Sequence, residues 1–374
     1  SQLPNDHSGS TYLDNNSQVG IEDIKIAITP SITADITVNP DFAQAEVDQS
    51  MVNMTRFSLF FPEKRQFFQE RASTFEFNTG GQSRLFHSRR IGLSGGEPIR
   101  IFGGVRAVGR LGGTDLGVLN MQTEAANGAP SENFGVFRIR QQILNSYSSI
   151  GAIATTRAGD DGSYNVAAGI DGVIRPFRDE YLTLKAVQTF DDSDSADSGV
   201  ADRGLFLARW ERRQDDGFSY SVDCVRAGDG YDPGVGFIRR SDFTFLQNDY
   251  QYLWFAAENS PIRTVSIGGG AQGYIRNDDG AVESGSFRPS LQFDFKSTAK
   301  VDLSLTSNYE SVRDTFALAG GAEVPAGDYW FHEANLYVAT SRLGSFRPNL
   351  TVGAGSFYDG YRLTFSSGPS WNVS

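Results

Sequence analysis

The sequence predicts an all-β chain, folded as a large antiparallel up-and-down transmembrane β-barrel of at least 16 strands. Three observations carry this. From Glu97 onward the chain falls into about fifteen alternating segments of about 11–15 residues each, longer than the usual soluble strand of about 5–6. The connections between them alternate short and long, as in an outer-membrane meander. No apolar run approaches the roughly 18 residues of a membrane helix. Barrel strands, by contrast, average out as polar, in keeping with a mean hydropathy of −0.33 and 28 Phe and 14 Tyr.

Taken in order, residues 1–20 are polar, turn-rich and aperiodic, and read as a linker or lead-in. Residues 21–39 hold two short alternating runs around Pro30-Ser31, a first hairpin with the proline at the turn. Residues 40–96 are the least regular stretch. There Phe57, Phe60, Phe61, Phe67 and Phe68 surround Glu63, Lys64 and Arg65, with Glu70 and Arg71 close behind. Charges interleaved with that many aromatics suit neither lipid nor a free loop. They suit a segment folded inside a wide barrel, whose strand side chains alone cannot fill it.

Residues 97–374 are the barrel strands. Period 2 is clearest late: Leu291, Phe293 and Phe295 oppose Gln292, Asp294 and Lys296, while Val301, Leu303 and Leu305 oppose Asp302, Ser304 and Thr306. Near the start, Ile99, Ile101, Val105 and Ala107 are expected on one face and Arg100, Arg106 and Arg110 on the other. Tyr181, Tyr220, Tyr250, Tyr252, Trp254, Tyr309 and Trp330 are expected as interfacial girdles. The long loops are acidic, with Asp191, Asp192, Asp194 and Asp197 in one and Asp160-Asp161 and Asp278-Asp279 in others. Solvated loop acids are the plain reading of these; cations bridging to lipopolysaccharide are the other. A β-sandwich uses shorter strands and Greek-key connections, and no repeat of fixed period marks a solenoid.

The net charge of −12 and pI of about 4.8 argue against a nucleic-acid partner. Cys224 is alone and the three histidines are far apart, so neither a disulfide framework nor a metal site is expected. The site expected to matter is the inner segment. Asp41, Glu46, Asp48, Glu63 and Glu70 would pair with Lys64, Arg65, Arg71, Arg89, Arg90 and inward arginines such as Arg100, Arg106 and Arg138. The other reading makes the segment a clasp that closes the barrel. The carboxylates Asp41, Glu46 and Asp48 have no nucleophile or oxyanion motif to work with, so no catalytic residue and no cofactor are expected. Gly268, Gly269 and Gly270 lie inside a strand pattern and are no phosphate loop.

The stretches Thr37–Asp48, Phe60–Glu70 (FFPEKRQFFQE), Phe86–Gly92 (FHSRRIG) and Asp232–Asp242 (DPGVGFIRRSD) together resemble DUF5916, an outer-membrane β-barrel region of Gram-negative bacteria. That region usually follows a family 9 carbohydrate-binding-like domain, which is absent from these residues. The family's barrel continues for several more strands, and Trp371 to Ser374 lack a closing aromatic, so an incomplete barrel is expected. The resemblance implies a pore, a transporter-like channel or a membrane anchor in the outer membrane. Its partners would be lipid, lipopolysaccharide, a small-molecule or carbohydrate cargo and a partner protein. The alternatives are the barrel anchor of a carbohydrate-binding or hydrolase-type protein, and a passive structural or adhesive scaffold.

Overall fold

The computed structural model describes residues 24–40, 57–192, 199–214, 216–317 and 323–371. Asp41, Glu46, Asp48, Asp194, Asp197 and the lead-in 1–20 lie outside the described residues.

The chain forms one 17-stranded antiparallel sheet. The first hairpin pairs Ile24–Thr29 with Ile32–Val38, turning at Pro30-Ser31, and Ile32–Val38 then pairs with Ile101–Leu111. From there each sheet strand pairs with the next one in sequence, through to Asn349–Phe357 against Gly360–Ser367. Ile24–Thr29 and Gly360–Ser367 are therefore the two edges, and no ladder joins them among the described residues. The all-β, up-and-down antiparallel fold is as the sequence predicts.

One end of the sheet carries the turns 112–113, 178–179, 213–216 and 296–299, together with 143–148, 256–261 and 340–348. At the opposite end the chain leaves Val38 and re-enters at Ile101, and there too run the connections 124–131 and 228–242 and those that follow Asp191 and Val312. The alternation of short and long connections thus holds, although 160–163 and 358–359 at the loop end are tight.

The pleat sorts side chains onto two faces. Residues 57–98 pack on the inner face, against inward side chains such as Met121, Phe134, Ile153, Val187, Leu207 and Val225. On the outer face Ile150, Ile170, Phe206, Val222, Leu246, Ile267, Phe287, Leu305 and Trp330 all stand exposed. Half-buried Cys224 pairs with Leu246 on this outer face.

Two expectations of facing are corrected. Strand Ile101–Leu111 has a β-bulge between Ile101 and Gly103, and one extra residue reverses the facing of everything after it. Ile99 and Ile101 are buried on the same side as Arg106, and Val105 is exposed. Tyr181 is not a girdle residue. Its ring is buried, with Arg175 and Arg213 over it at 5.6 and 4.2 Å. Tyr252, Trp254 and Trp330 do stand exposed toward strand ends, whereas Tyr250, also exposed, sits in the middle of Phe243–Phe255.

Candidate functional site

The inner segment is built from short pieces: one helical turn (Gln66–Gln69), a 3-10 turn (Ala72–Thr74), a two-stranded ladder (Asn78–Gly80 with Ser83–Arg84), a second 3-10 turn (Ser88–Arg90) and the ladder Leu93–Ser94 with Glu97–Pro98. Nothing so short is stable alone; its aromatic residues hold it. Phe67, Phe68, Phe75, Phe77, Leu85 and Ile91 form one core with the inward strand residues. Two strand glycines leave the space. A Cβ on Gly117 would lie 2.8 Å from the Phe75 ring, and one on Gly169 would lie 3.0 Å from Phe77 and 3.1 Å from Leu85.

The charges of FFPEKRQFFQER split into two groups. Glu63 and Arg65 pair with each other in a fork, Nε–Oε1 at 2.9 Å and Nη2–Oε2 at 2.8 Å. Ser88 Oγ donates to the same carboxylate at 2.7 Å, and Arg65 donates to the carbonyls of Ser88 (2.7 Å) and Ile91 (2.8 Å). The guanidinium also lies 4.4 Å from the Phe68 ring centre. Burial alone would raise the Glu63 pKa, but the bonds from Arg65 and Ser88 outweigh it and hold the carboxylate below its ordinary range.

The second group centres on Arg106, which is buried in the sheet. It donates to Asp35 Oδ2 from Nε (3.0 Å) and Nη2 (2.5 Å), to the carbonyls of Phe67 and Glu70 (the latter at 2.8 Å), and to Glu70 Oε2 at 3.2 Å. Lys25 donates to the same Glu70 oxygen at 2.8 Å. That bond from Lys25, with Arg106 behind it, keeps the Glu70 carboxyl below its usual range. One buried arginine thus ties the helical turn to both the first hairpin and the next strand.

The other expected cations make these contacts among the described residues. Arg138 pairs with Asp171 of a nearby strand at 2.5 Å, and Arg100 donates to Asn39 Oδ1 at 2.7 Å. Arg89 reaches the Pro62 carbonyl at 3.4 Å, and Lys64 is half-buried with its amide on Glu63 Oε1 at 3.0 Å. Arg71 is exposed, has left-handed backbone (φ 52°) between the two turns, and has no ion pair among the described residues.

Arg90 marks a contact that sequence reasoning missed. Its Nε donates to the carbonyl of Gly236 at 3.1 Å, 146 residues away. Around it Arg84 and Phe237 exchange both backbone bonds at 2.8 Å, and the His87 amide donates to Val235 at 2.8 Å. Phe60, His87 and Phe237 form an aromatic cluster with centroids 5.0–6.0 Å apart, and Arg84 lies over Phe60 at 4.4 Å. A Cβ on Gly236 would come within 2.5 Å of the Arg84 carbonyl, so only glycine permits this approach. The motifs FHSRRIG and DPGVGFIRRSD, far apart in sequence, are the two halves of one latch. Burial, with Arg84 beside it, pushes the His87 imidazole down to about 4.

Beyond the latch the inner face changes character. From strand Phe243–Phe255 onward it presents Gln247, Asp249, Gln272, Ser286, Arg288, Thr306 and Asn308, and these line open cavities. Among the described residues no group of three His, Cys, Asp or Glu is placed to hold a metal ion, and no helix is long and apolar enough to cross a membrane.

A family model described as a domain of unknown function, DUF5916, matches residues 1–102. The match bears out the resemblance read from the motifs. It covers the first hairpin and the inner segment, whereas the 232–242 half of the latch lies outside it. No curated protein matches the chain.

Proposed function

With residues 1–102 a DUF5916 segment, we propose that this chain forms the wall of a Gram-negative outer-membrane β-barrel that passes small polar solutes, its interior half filled by the inner segment. One observation carries the proposal: the sheet is apolar outside and, over its later strands, polar inside, the reverse of a soluble β fold. Exposed aliphatic and aromatic side chains follow one another across the outer face from Ile26 to Phe365. Soluble monomers rarely expose contiguous apolar patches beyond a few hundred Å², whereas a barrel wall needs such a band. The strands Ile101–Leu111 to Gly327–Ala339 run from 9 to 15 residues, enough for tilted crossing by strands of about 9–11.

In this reading the loop end faces outward and sets Asp160, Asp161, Asp191, Asp192, Asp278 and Asp279 toward lipopolysaccharide. Hydrocarbon tolerates no open sheet edge, so Ile24–Thr29 and Gly360–Ser367 must each meet another strand in the membrane. The test is reconstitution of the full chain with lipids brominated along the acyl chain. Quenching of the outward Trp254 and Trp330, together with conductance in a planar bilayer, is the expected result. Unquenched tryptophans would overturn the membrane reading. Quenching without conductance would leave the second reading, an anchor, which the fastening of the inner segment by Arg106 favours.

A further inference from the structure

Three cavities on the inner face share walls. The first, about 200 Å³ at the loop end, is lined by Phe57, Arg240 and Tyr274 and by Gln272, Ser286 and Asn308. The same Gln272, Ser286 and Asn308 line the second, of about 280 Å³, which is also bounded by Asp249, Gly270 and Arg288. Those last three bound the third, of about 330 Å³, which continues past Ser219, Gln251 and Ser290 toward the turn end. The register explains the alignment. Gln247, Gln272, Ser286 and Asn308 are cross-strand partners on one level, Asp249, Gly270 and Arg288 on the next, and Gln251, Gly268 and Ser290 on the one after.

We infer that solute crosses along this trough, on the inner wall of residues 217–312, and not through the cavity that Glu63, Ala72, Glu76 and Ser88 line within the inner segment. The inference rests on the pore reading above and adds the route. Three features support it. The trough descends level by level from the loop end toward the turn end. Its lining is amide and hydroxyl groups that can replace water around a small hydrophilic solute. Its middle level carries Asp249, which accepts from Gln247 Nε2 at 2.6 Å, and the exposed Arg288, which has no ion pair among the described residues. A Cβ at Gly270 would collide with the Asp249 carboxylate, so glycine keeps that level open. The rival route past Glu63, Ala72, Glu76 and Ser88 has its own cavity, of about 350 Å³, but Phe68, Phe75, Phe77 and Phe86 supply much of its wall, where the trough offers amides and hydroxyls. Arg288, the cation of the middle level, then acts as a specificity-determining residue for the passing ion.

The test uses the full chain in a Cys224→Ser background, with single cysteines at Ser286 and at Ala72. A charged methanethiosulfonate reagent is added to the bilayer chamber while inorganic salt carries the current. The expected result is a fall in conductance of at least roughly half for Ser286→Cys and no change for Ala72→Cys. Arg288→Glu should move the reversal potential in a salt gradient toward cation preference. A conducting protein in which Ala72→Cys is blocked as much as Ser286→Cys, or in which neither is blocked, overturns the trough and leaves the pore standing. Silence of the parent protein after proven insertion overturns both. Ser286→Cys is a near-isosteric change, so failure to fold is not its expected outcome, and tryptophan quenching checks insertion in each variant.

Discussion

The two halves of the sheet share a topology and an outer face but not an inner one. From Ile32–Val38 to Gly217–Ala227 the inner segment closes over inward Leu, Ile, Met, Phe and Val, interleaved with buried charges such as Asp35, Arg106, Arg138 and Asp223. From Phe243–Phe255 onward they are largely Ser, Gln, Asn and Thr, with little above them. The first half is a dry core, in which packing and desolvated ion pairs set stability. The second is a wetted wall, in which substitution should be cheap. A fold of one repeating element can therefore hold a fixed filling on one side and an open surface on the other.

The largest effects should fall in the covered half. Phe77→Ala removes a ring packed on Gly169 and beneath Lys185. It should cost about 3–5 kcal/mol, read as a lowered urea midpoint of the reconstituted protein. Gln272→Ala on the wetted wall should stay within about 0.5 kcal/mol, and equal losses at the two positions would break the comparison. Arg106→Ala strands Asp35 in the sheet and frees the carbonyls of the helical turn. A similar loss of about 3–5 kcal/mol is expected, with new proteolytic cleavage in residues 66–76. Stability lost without new cleavage would mean that the aromatic residues alone seat the segment.

Acid sharpens the contrast next. The folded pKa of His87, about 4, lies below its ordinary 6.5. The unfolded chain therefore binds the proton first, and stability should fall as the pH drops from about 6.5 toward 4, by about 2–3 kcal/mol in all. His87→Phe should flatten that window. Glu63, held below its ordinary 4.5, contributes stability above that value and loses it only as the pH falls further. Glu63→Gln should therefore alter the profile below about pH 4.5 and, because the Glu63 charge holds the His87 pKa up, extend the His87 window to lower pH. Gly169→Val, which overpacks against Phe77, should cost about 1–3 kcal/mol. A small effect is expected again on the wetted wall: Arg362→Ala breaks its half-exposed pair with Glu333 for about 0–1 kcal/mol.

Much of this was legible in the sequence where the two faces differ in chemistry. Leu291, Phe293 and Phe295 against Gln292, Asp294 and Lys296 define a strand and its facing without help. Illegible were features set by register. One bulge between Ile101 and Gly103 moved Val105 outward, and which acid met Arg138 depended on a strand alignment that brings Asp171 beside it. In the candidate site, the density of charge and aromatic residues pointed to Glu63, Arg65 and Glu70. The pairing of Glu63 with Arg65, two residues away, and the meeting of Arg90 with Gly236 needed three dimensions. The wetted wall gave no motif, because Ser, Gln and Asn matter there only as a surface shared by several strands.

The latch between residues 84–90 and 228–242 also constrains the order of assembly. The inner segment is complete in the chain long before Gly236 is, and Arg90 finds that carbonyl 146 residues later. Contacts at that separation form late and slowly. Eight sheet strands, Ile101–Leu111 through Gly217–Ala227, lie between the two halves of the latch. Until they are paired, Phe60, His87 and the rest of the filling have no lid, and the nascent protein carries an exposed aromatic cluster. A chaperone would meet the chain in that state, so variants at Gly236 should be felt first as poor assembly, ahead of any change in the finished sheet.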